Sequence, residues 1–371
     1  MSASSLPTIP QMEPWFDQSE ARAVYEYMMS GGWVTEYSKT REFEASIARF
    51  TGAAFCSVVP NGTISLALAL MACGVGPGDE VIVPDFTMAA TPNAARLCGA
   101  SVVFVDIEPD TLCMDYRRMC QAVSPRTRAV LLVTINGRAP GNLQAFVDFC
   151  AQRRLWLIED AAQSLGSRHA GRHLGTFGAI GCLSFSAMKV ISTGQGGALV
   201  TDDERLIQRV RMLRDFGRTR GGEDHYLTLG WNFKFTDLQA VVGLEQMKKL
   251  AWRVERKKQM YALYRQGLAG LAGIALLPTD LADTSPWFMD ILVGGGQRES
   301  LMAFLKAQGI QTRPFYPALH AEPAYALAGT YPVAERVARE GLWLPSSSRL
   351  TDGDVRRVCD AIRNWSERSP G

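Results

Sequence analysis

After residue 50 the sequence alternates between short apolar segments and longer stretches whose composition is typical of helices. The apolar segments predict six β-strands, at 80–84, 101–106, 129–134, 155–160, 180–185 and 197–201. Stretches that are rich in Ala and Leu or amphipathic, such as 63–73 and 89–97, separate them. Apolar strands that alternate with helices are typical of a mainly parallel sheet with both faces covered. We therefore predict an α/β fold for the larger part of the chain.

The chain changes in character near residue 245. The stretch 246–266 is long and rich in charged residues, and it predicts a solvated helix that links two domains. From about residue 268 onward the pattern predicts a small α+β domain, with strand-like and helix-like segments. The division that follows has three parts: an N-terminal arm and helix (1–30), a large domain (31–245), and a linking helix with a small C-terminal domain (246–371).

Composition excludes several classes of protein. The formal net charge of +2 gives no footprint for a polyanion, so we expect no nucleic-acid partner. The four histidines are spread along the chain, so we expect no metal site. The eight cysteines show no C-x-x-C spacing and mostly lie in apolar runs, which is typical of reduced core residues. With no signal-peptide pattern and no apolar run of membrane-spanning length, we expect a cytoplasmic protein without a membrane partner.

One lysine has an unusual setting. Lys189 follows the apolar and small residues 182–188 and precedes a glycine-rich turn at 194–197. A lysine ammonium is strongly hydrated, so a lysine among such neighbours is expected to be partly desolvated, which favours the neutral amine. Neutral lysine amines form Schiff bases with carbonyl compounds, and pyridoxal phosphate is one of them. Lys189 is therefore a candidate for holding that cofactor.

Two polar residues could meet other chemical demands of pyridoxal phosphate. Asp160 ends a predicted strand, and ligands of α/β sheets gather at the carboxyl ends of strands. A buried carboxylate there can hold a protonated pyridine nitrogen, although such an aspartate could also cap the next helix. In a helical turn Gln163 would project on the same side, towards the cofactor's hydroxyl or the substrate. The alternative for Gln163 is a surface amide.

The segment Asn61-Gly-Thr63 could hold the phosphate. It precedes the apolar stretch 63–73, and free N–H groups at a helix N-terminus bind phosphate readily. Asn-Gly is also a hairpin signal, but the run that follows is too long and too rich in Ala and Leu for a paired strand. Ser184 could donate its hydroxyl to the same phosphate. The glycines at 194–197 are no dinucleotide-binding fingerprint, because Leu199 replaces the last glycine and a strand follows.

Further motifs stand in a fixed order along nearly the whole chain. They are Gly32-Trp-Val-Thr35, Asn61-Gly-Thr63, Gly76-Pro-Gly-Asp-Glu-Val81, Pro84-Asp-Phe-Thr-Met88, Asn136-Gly137, Glu159-Asp-Ala-Ala-Gln163, residues 184–197, Asn232-Phe-Lys-Phe-Thr-Asp-Leu-Gln239, Thr312-Arg-Pro-Phe-Tyr-Pro317 with His320, and Gly341-Leu-Trp-Leu-Pro345. In their joint order and spacing they resemble the DegT/DnrJ/EryC1/StrS family of sugar aminotransferases. The resemblance implies the fold of aspartate aminotransferase, with a seven-stranded, mostly parallel sheet domain and a small C-terminal domain. It also implies pyridoxal phosphate as cofactor and a homodimer with active sites at the subunit interface.

The resemblance assigns cofactor contacts residue by residue. Lys189 matches the Schiff-base lysine, Asp160 the partner of the pyridinium nitrogen, and Gln163 the position near the cofactor's hydroxyl. The matches to phosphate contacts are Gly62, Thr63, Ser184 and, as a contact from the other subunit, Asn232 or the nearby Lys234. Some relatives are dehydratases that carry histidine at the lysine position, and Lys189 argues against that branch because histidine forms no Schiff base.

Departures from the family pattern lie at expected ligand contacts. Met88 stands where many relatives stack an aromatic ring on the cofactor, and Phe86 is a nearby alternative. Glu36-Tyr37 replaces a common Gly-Pro, and Asn136-Gly-Arg138 replaces a common Tyr-Gly, at positions that we expect near the substrate mouth. The candidates for substrate contacts are Trp33, Arg313, Tyr316 and His320, of which the last three could instead form a structural loop.

The resemblance implies a reaction as well. Within the family the chain resembles perosamine-synthase-type enzymes, which aminate a nucleotide-linked 4-keto-6-deoxy sugar. We therefore expect a pyridoxal phosphate-dependent aminotransferase that uses L-glutamate as amino donor, with Lys189 moving the proton and Asp160 supporting the pyridine ring. One alternative is amination of a free keto-sugar such as an octulosonate. A non-catalytic regulatory homologue would be expected to lack Lys189, Asp160 or Ser184, and all three are present.

Overall fold

The computed structural model describes residues 7–368. Residues 1–6 of the predicted arm and residues 369–371 of the predicted small domain lie outside the described residues. The central sheet has seven strands, which are β1 (Phe55–Val59), β2 (Glu80–Pro84), β3 (Ser101–Val105), β4 (Thr127–Val133), β5 (Trp156–Asp160), β8 (Ile180–Ser184) and β9 (Gly197–Thr201). Between β5 and β8, the short strands β6 (Arg168–His169) and β7 (Arg172–His173) pair only with each other.

The strand order is β1-β9-β8-β5-β4-β2-β3. The pairs β3–β2, β2–β4, β4–β5 and β5–β8 are parallel, whereas β9 runs antiparallel to both of its neighbours, β8 and β1. The predicted α/β class with a mostly parallel seven-stranded sheet is therefore confirmed. The six strands predicted from apolar runs are all present, and the strand pattern overlooked only β1 in this sheet, the strand at the edge beyond β9.

Helices cover both faces of this sheet. They are α2 (Ser38–Thr51), α3 (Gly62–Ala72), α4 (Ala90–Leu97), α5 (Tyr116–Ala122), α6 (Leu143–Arg153) and α7 (Glu204–Arg214). The first helix, α1 (Gln18–Met29), packs on the later helix α8 (Asp237–Gly267) instead. Alternate residues of β4 point to opposite faces, so Leu131 packs in the apolar cluster that contains α3 and Leu132 in the cluster that contains Phe146 of α6. Across residues 7–368, no helix combines the length and the apolar character needed to cross a membrane.

The carboxyl ends of the parallel strands meet at one edge of the sheet. Asp160, the last residue of β5, pairs with Val133 at the end of β4 and with Cys182 near the end of β8. Gly197, the first residue of the antiparallel strand β9, pairs with Ser184. Segments that the sequence separates widely are thereby brought to the edge where α/β proteins bind ligands.

The C-terminal part folds into a second, smaller sheet. Its four strands are β10 (Ile274–Leu276), β11 (Met289–Val293), β12 (Arg313–Pro314) and β13 (Gly341–Leu344), all antiparallel, in the order β10-β11-β13-β12. The helices of this part are α9 (Arg298–Ala307), α10 (Pro332–Glu340) and α11 (Asp352–Arg368). Apolar residues of α9 and α11 pack on the sheet in one core, which is the α+β arrangement predicted from the sequence.

One long helix, α8 (Asp237–Gly267), joins the two parts. It begins earlier than the predicted stretch 246–266, so the proposed boundary at residue 245 falls inside a helix. The prediction of a solvated helix is also wrong for one face, because Gln246, Arg253 and Lys257 are buried. The helix lies against α1 and α2 of the large part and against α11 of the small part. Because both parts contact it, side chains that its charged composition predicted to be solvated are buried.

Candidate active site

Asp160 occupies the end of β5 and is nearly fully buried. Its Oδ2 accepts a hydrogen bond of 2.7 Å from Thr91 Oγ1, and its Oδ1 accepts one of 3.2 Å from the N–H of Ala162. Burial raises the pKa of Asp160, and these two donors together with the charge of Lys189 oppose the shift. No helix starts in the turns at 161–166, so Asp160 is not a helix cap and its carboxylate faces the carboxyl edge of the sheet.

Lys189 lies in the turn between β8 and β9, where its N–H bonds to Ser186 O at 3.0 Å. Its Nζ stands 3.9 Å from the centroid of the Trp287 ring. Burial lowers the pKa of Lys189 to about 8, the Asp160 carboxylate opposes this shift, and the charge of Arg313 adds to it. Within residues 7–368 Nζ donates no hydrogen bond to a protein acceptor. The amine is therefore near the buried carboxylate and is not committed to another partner in the protein.

The start of α3 lies beside the end of β8. Asn61 caps this helix, because its side chain accepts from the N–H of Ile64 at 3.0 Å, and the hairpin alternative for Asn61-Gly62 does not apply. In the described part of the chain the N–H groups of Gly62 and Thr63 have no protein acceptor. A Cβ on Gly62 would lie 3.0 Å from Ser184 Cβ and 3.2 Å from its Oγ. Glycine at this place thus lets the Ser184 hydroxyl sit directly beside two free N–H groups.

Gln163 is buried in the turn after β5, so the alternative of a surface amide is wrong. Its Oε1 accepts a hydrogen bond of 2.7 Å from the N–H of Asn136. That bond fixes the orientation of the amide and leaves its Nε2 as a donor without a partner among the described residues.

Two side chains were considered for packing on a cofactor ring. Phe86 is 1% exposed and packs against Phe315 and Tyr316, with ring centroids 5.5 Å and 6.0 Å away. Met88 is 49% exposed, and its Sδ accepts from the N–H of Ala90 at 3.1 Å. Phe86 is therefore part of the core, and Met88 is the one of the two that has a free surface.

Two of the predicted substrate contacts lie on the Lys189 side of the molecule. Arg313 is exposed, and its guanidinium stands 5.8 Å from the Tyr316 ring and 5.4 Å from the Trp343 ring. Tyr316 is buried, and burial raises the pKa of its hydroxyl. The charge of Arg313 lowers the pKa of Lys189, and the charge of Asp160 raises the pKa of Tyr316. These four groups therefore influence one another's protonation.

The other predicted contacts lie apart from this group. His320 is buried, with its Nδ1 2.7 Å from Asp85 Oδ2 and its Nε2 3.8 Å from Glu335 Oε1, so both ring nitrogens face carboxylates of the protein. Trp33 is 65% exposed and accepts a hydrogen bond from Tyr27 through its carbonyl. Asn232 is exposed in a loop that bridges to Asp215. Among the described residues these three form no hydrogen bond or ion pair with Lys189 or Asp160.

At the two departures from the family pattern, charged side chains form ion pairs within the protein. Arg138 is buried and pairs with Asp290, and Asn136 Nδ2 donates to Phe288 O at 2.7 Å. Both residues therefore fasten the end of β4 to β11. Glu36 is partly exposed, with its Oε1 2.7 Å from Arg214 Nη2 and its Oε2 without a partner among the described residues.

Sequence reasoning missed two residues that contact the central pair. Thr91 donates to Asp160, and Trp287 lays its ring over the Lys189 amine while its Nε1 donates to Met188 O at 2.7 Å. Neither residue stands out locally, since a threonine in a helix and an aromatic residue before a strand are ordinary core positions. Only the fold shows what they contact.

The chemistry of these groups fits pyridoxal phosphate. An uncommitted amine, a buried carboxylate, a glycine-lined helix start with two free N–H groups, and a fixed amide donor correspond to its aldehyde, pyridine nitrogen, phosphate and ring hydroxyl. No adjustment of the backbone is needed at Gly62, where a larger residue would fill the space beside Ser184.

Comparison with known proteins identifies the family. The family model for DegT/DnrJ/EryC1/StrS aminotransferases matches residues 16–363. The chain is 32% identical to a GDP-perosamine synthase of Vibrio cholerae, over 96% of this chain and 99% of that protein. It is 38% identical to a dTDP-3-amino-3,4,6-trideoxy-alpha-D-glucose transaminase of Streptomyces venezuelae, over 88% of this chain and 86% of that protein.

Solved structures agree with this match. The aminotransferase TlmJ from Streptoalloteichus hindustanus superposes with a TM-score of 0.91 at 34% identity, covering 96% of this chain and 98% of that one. The PLP-form of the putative sugar aminotransferase Spr1654 from Streptococcus pneumoniae gives a TM-score of 0.91 at 27% identity, covering 97% of this chain and 99% of that one. The predicted family, fold and cofactor are confirmed: the chain belongs to the DegT/DnrJ/EryC1/StrS aminotransferase family and is a pyridoxal phosphate-dependent aminotransferase.

Proposed function

We propose that this protein transfers the amino group of L-glutamate to the keto carbon of a nucleotide-linked keto-sugar, of the 4-keto-6-deoxyhexose type. The observation that carries the proposal is the uncommitted amine of Lys189, which lies 3.9 Å from the centroid of the Trp287 ring and is influenced by the charge of the buried Asp160 carboxylate. The relatives support the substrate class, since their names specify GDP-perosamine synthase and transaminases of dTDP-sugars.

The residues divide the work among binding, orientation and proton transfer. When bound, pyridoxal phosphate supplies an electron sink for the carbon that loses or gains a proton. Asp160 is placed to keep the ring nitrogen protonated, because a carboxylate favours a cation beside it. Gly62, Thr63 and Ser184 supply donors for the phosphate at the N-terminus of α3. The free Nε2 of Gln163 can donate to the ring hydroxyl.

Lys189 both anchors the cofactor and moves the proton in this proposal. With its pKa lowered to about 8, roughly a tenth of the amine is neutral at pH 7. Lys189 would hold the cofactor through its neutral amine, and that amine, once free, would move the proton that leaves the donor carbon on to the cofactor. An ordinary exposed lysine, with a pKa of about 10.4, would be almost entirely protonated, so it would neither bind the cofactor nor move the proton efficiently.

We also propose a homodimer with shared active sites. Exposed large apolar side chains gather on two segments, around α1 with the loop after it and in the loop after α7: Tyr25, Met28, Met29, Trp33, Val34, Tyr37, Tyr226, Leu227, Leu229 and Trp231. Large apolar surfaces of this kind are typical of subunit interfaces. Asn232 adjoins the second segment and forms no hydrogen bond with Lys189 or Asp160 of its own chain, which supports a phosphate contact donated to the partner copy.

On the cysteine pattern we propose a cytoplasmic location.

The substrate contacts that we propose are Arg313, Tyr316 and, from the exposed loop at the proposed interface, Trp33. The exposed guanidinium of Arg313 beside the site suits the diphosphate of a sugar nucleotide. The alternative of a free keto-sugar rested on unusual residues at the mouth. Arg138 is buried in an ion pair with Asp290, which removes one of these residues from the argument for the alternative.

A substrate panel tests the proposal. The purified protein with pyridoxal phosphate and L-glutamate is incubated with a GDP-linked 4-keto-6-deoxyhexose, a dTDP-linked one and a free keto-octulosonate, and 2-oxoglutarate release is followed. We expect release with at least one nucleotide-linked sugar and none with the octulosonate. The variant Lys189→Ala is the blank for each substrate. Release with the octulosonate alone would overturn the assigned substrate class.

A further inference from the structure

A chain of buried hydroxyl groups ends on the Asp160 carboxylate. Thr91 Oγ1 lies 2.7 Å from Asp160 Oδ2, and Thr87 Oγ1 lies 2.9 Å from Thr91 Oγ1. The relative exposures of Thr87, Thr91 and Asp160 are 1%, 0% and 6%, so bulk water does not compete for these bonds. Thr87 lies after β2 and Thr91 in the first turn of α4, far from Asp160 in sequence.

The bonds in this chain have one direction. An ionised carboxylate only accepts, so Thr91 must donate its single hydroxyl proton to Asp160. Thr91 can then only accept from Thr87, which must be the donor in the bond between them. Both O–H dipoles therefore point towards the carboxylate, an arrangement that stabilises its negative charge and strengthens each bond.

We propose that Thr91, oriented by Thr87, is a positioning residue that keeps the Asp160 carboxylate ionised and aimed at the ring nitrogen of pyridoxal phosphate. The inference rests on the function proposed above, in which Asp160 partners that nitrogen. Thr91 acts through Asp160 and touches neither cofactor nor substrate in this account.

The use that Thr91 makes of its hydroxyl supports this assignment. A threonine hydroxyl commonly bonds to backbone groups close to it in sequence. Thr91 instead spends its only proton on a carboxylate of another element. The whole side chain of Thr91 is buried. Because a valine has the same shape, packing alone does not require the hydroxyl.

Asp160 needs such a donor because its surroundings favour the neutral acid. Burial raises the pKa of its carboxyl, and the hydrogen bond from Thr91 is the largest effect that opposes the shift. The titratable groups that face Asp160 are Lys189 after β8, Tyr316 of the small part and Cys182 on β8. All three are kept in the variants below, so a changed pH dependence reports on the hydroxyl chain.

The test compares the affinity of cofactor-free variants for pyridoxal phosphate across pH. Thr91→Val keeps the shape and removes the donor, Thr91→Ser keeps the donor, and Thr87→Val removes only the outer hydroxyl. In Thr91→Val the Asp160 carboxylate protonates at a higher pH. We therefore expect this variant to bind pyridoxal phosphate about tenfold more weakly than the wild type at about pH 6. The gap closes as pH rises. Thr91→Ser behaves as the wild type, and Thr87→Val lies between.

The visible absorbance of the bound cofactor gives the dissociation constants, and far-UV circular dichroism confirms the fold of each variant. If Thr91→Val does not fold, Thr87→Val replaces it in the test, because the hydroxyl that this variant removes is further from Asp160. Asp160→Asn separates the two claims. If it leaves the affinity and its pH dependence unchanged, the proposed role of Asp160 fails and this inference with it. If Asp160→Asn weakens binding while Thr91→Val matches the wild type, or weakens it equally at every pH, only this inference is overturned.

Discussion

Two lysines in this protein have lost much of their hydration, and they serve different ends. Burial lowers the pKa of Lys189 to about 8 and that of Lys257 to about 7. Lys257 is fully buried in α8, and its Nζ donates to the carbonyl oxygens of Trp287, at 2.8 Å, and Ser346. Lys189 has no acceptor within the described residues, and its amine lies over the Trp287 ring near a buried carboxylate.

The difference shows what separates a reactive amine from a structural one. A lowered pKa is common to both lysines, so desolvation alone identifies neither. Lys257 has spent its donors on two backbone carbonyls and fastens α8 to the small part, whereas Lys189 keeps its donors and its lone pair free. The same tryptophan is involved in both places, through its carbonyl for Lys257 and its ring for Lys189.

The largest expected effect separates the two lysines by function. Lys189→Ala should abolish transamination and the visible absorbance of the bound cofactor, because the anchoring and proton-moving amine is lost. Lys257→Met, which keeps the length and packing of the side chain, should retain the absorbance. Absorbance spectra and single-turnover assays of the purified variants measure both. A colourless Lys257→Met protein together with a yellow Lys189→Ala protein would invert the comparison.

Chemical labelling of the cofactor-free protein should rank the lysines by access as well as by protonation. An amine with a pKa of about 8 is neutral roughly a hundredfold more often at pH 7 than an ordinary lysine amine. Lys189 should therefore react faster with an aryl fluoride than the exposed Lys248, whose Nζ pairs with Glu245 Oε1. Lys257 should stay unlabelled in the folded protein, since the reagent cannot reach it. Peptide mass spectrometry at timed intervals gives the rates, and equal rates at Lys189 and Lys248 would contradict the account.

A smaller effect is expected at the phosphate cup. Gly62→Ala places a Cβ 3.0 Å from Ser184 Cβ and should weaken pyridoxal phosphate binding about tenfold, because the helix start must move away from Ser184. Gly76→Ala is the matched control, since no atom lies within 4 Å of its added Cβ. Both dissociation constants come from titration of the cofactor-free proteins. Equal affinities in the two variants would remove the start of α3 from the site.

The last prediction concerns stability rather than binding, and it follows from the burial of Lys257. Because the pKa of Lys257 is lowered to about 7 in the folded state, the unfolded chain binds the extra proton between that pH and about 10.4. The contribution of this lysine to the free energy of unfolding therefore rises with pH, by up to about 1.4 kcal/mol per pH unit within that window. Lys257→Met should lose this rise, and the neighbouring Lys258→Met should keep it. Urea unfolding at stepped pH gives the slopes, and parallel slopes for the wild type and Lys257→Met would refute the burial of a neutral amine.

Local sequence signals were sufficient for most of the central site. Apolar runs located the strands that end at Asp160 and Ser184, and the Asn61 cap with its Ala/Leu-rich run located the start of α3. The rule that ligands gather at the carboxyl ends of parallel strands pointed to Asp160, and the resemblance to the family linked the start of α3 and Ser184 to the same site. Lys189 stood out because its neighbours are apolar.

Pairings between distant segments could not be found in the same way. The bond from Thr91 to Asp160 and the ion pair of Arg138 with Asp290 join elements whose proximity only the tertiary fold creates. Lys257 was assigned to a solvated face because it stands among charged residues, yet carbonyl groups of the small part cover it. A charged sequence pattern does not reveal which of its members finds buried partners.

The central claim is that Lys189, and not the fully buried Lys257, holds the cofactor. Borohydride reduction of the protein loaded with pyridoxal phosphate fixes the pyridoxyl group to the amine that binds it, and mass spectrometry of the peptides locates the group. The account predicts one pyridoxyl group on Lys189 and none on Lys257. A pyridoxyl group on any other lysine, or on none, would contradict it.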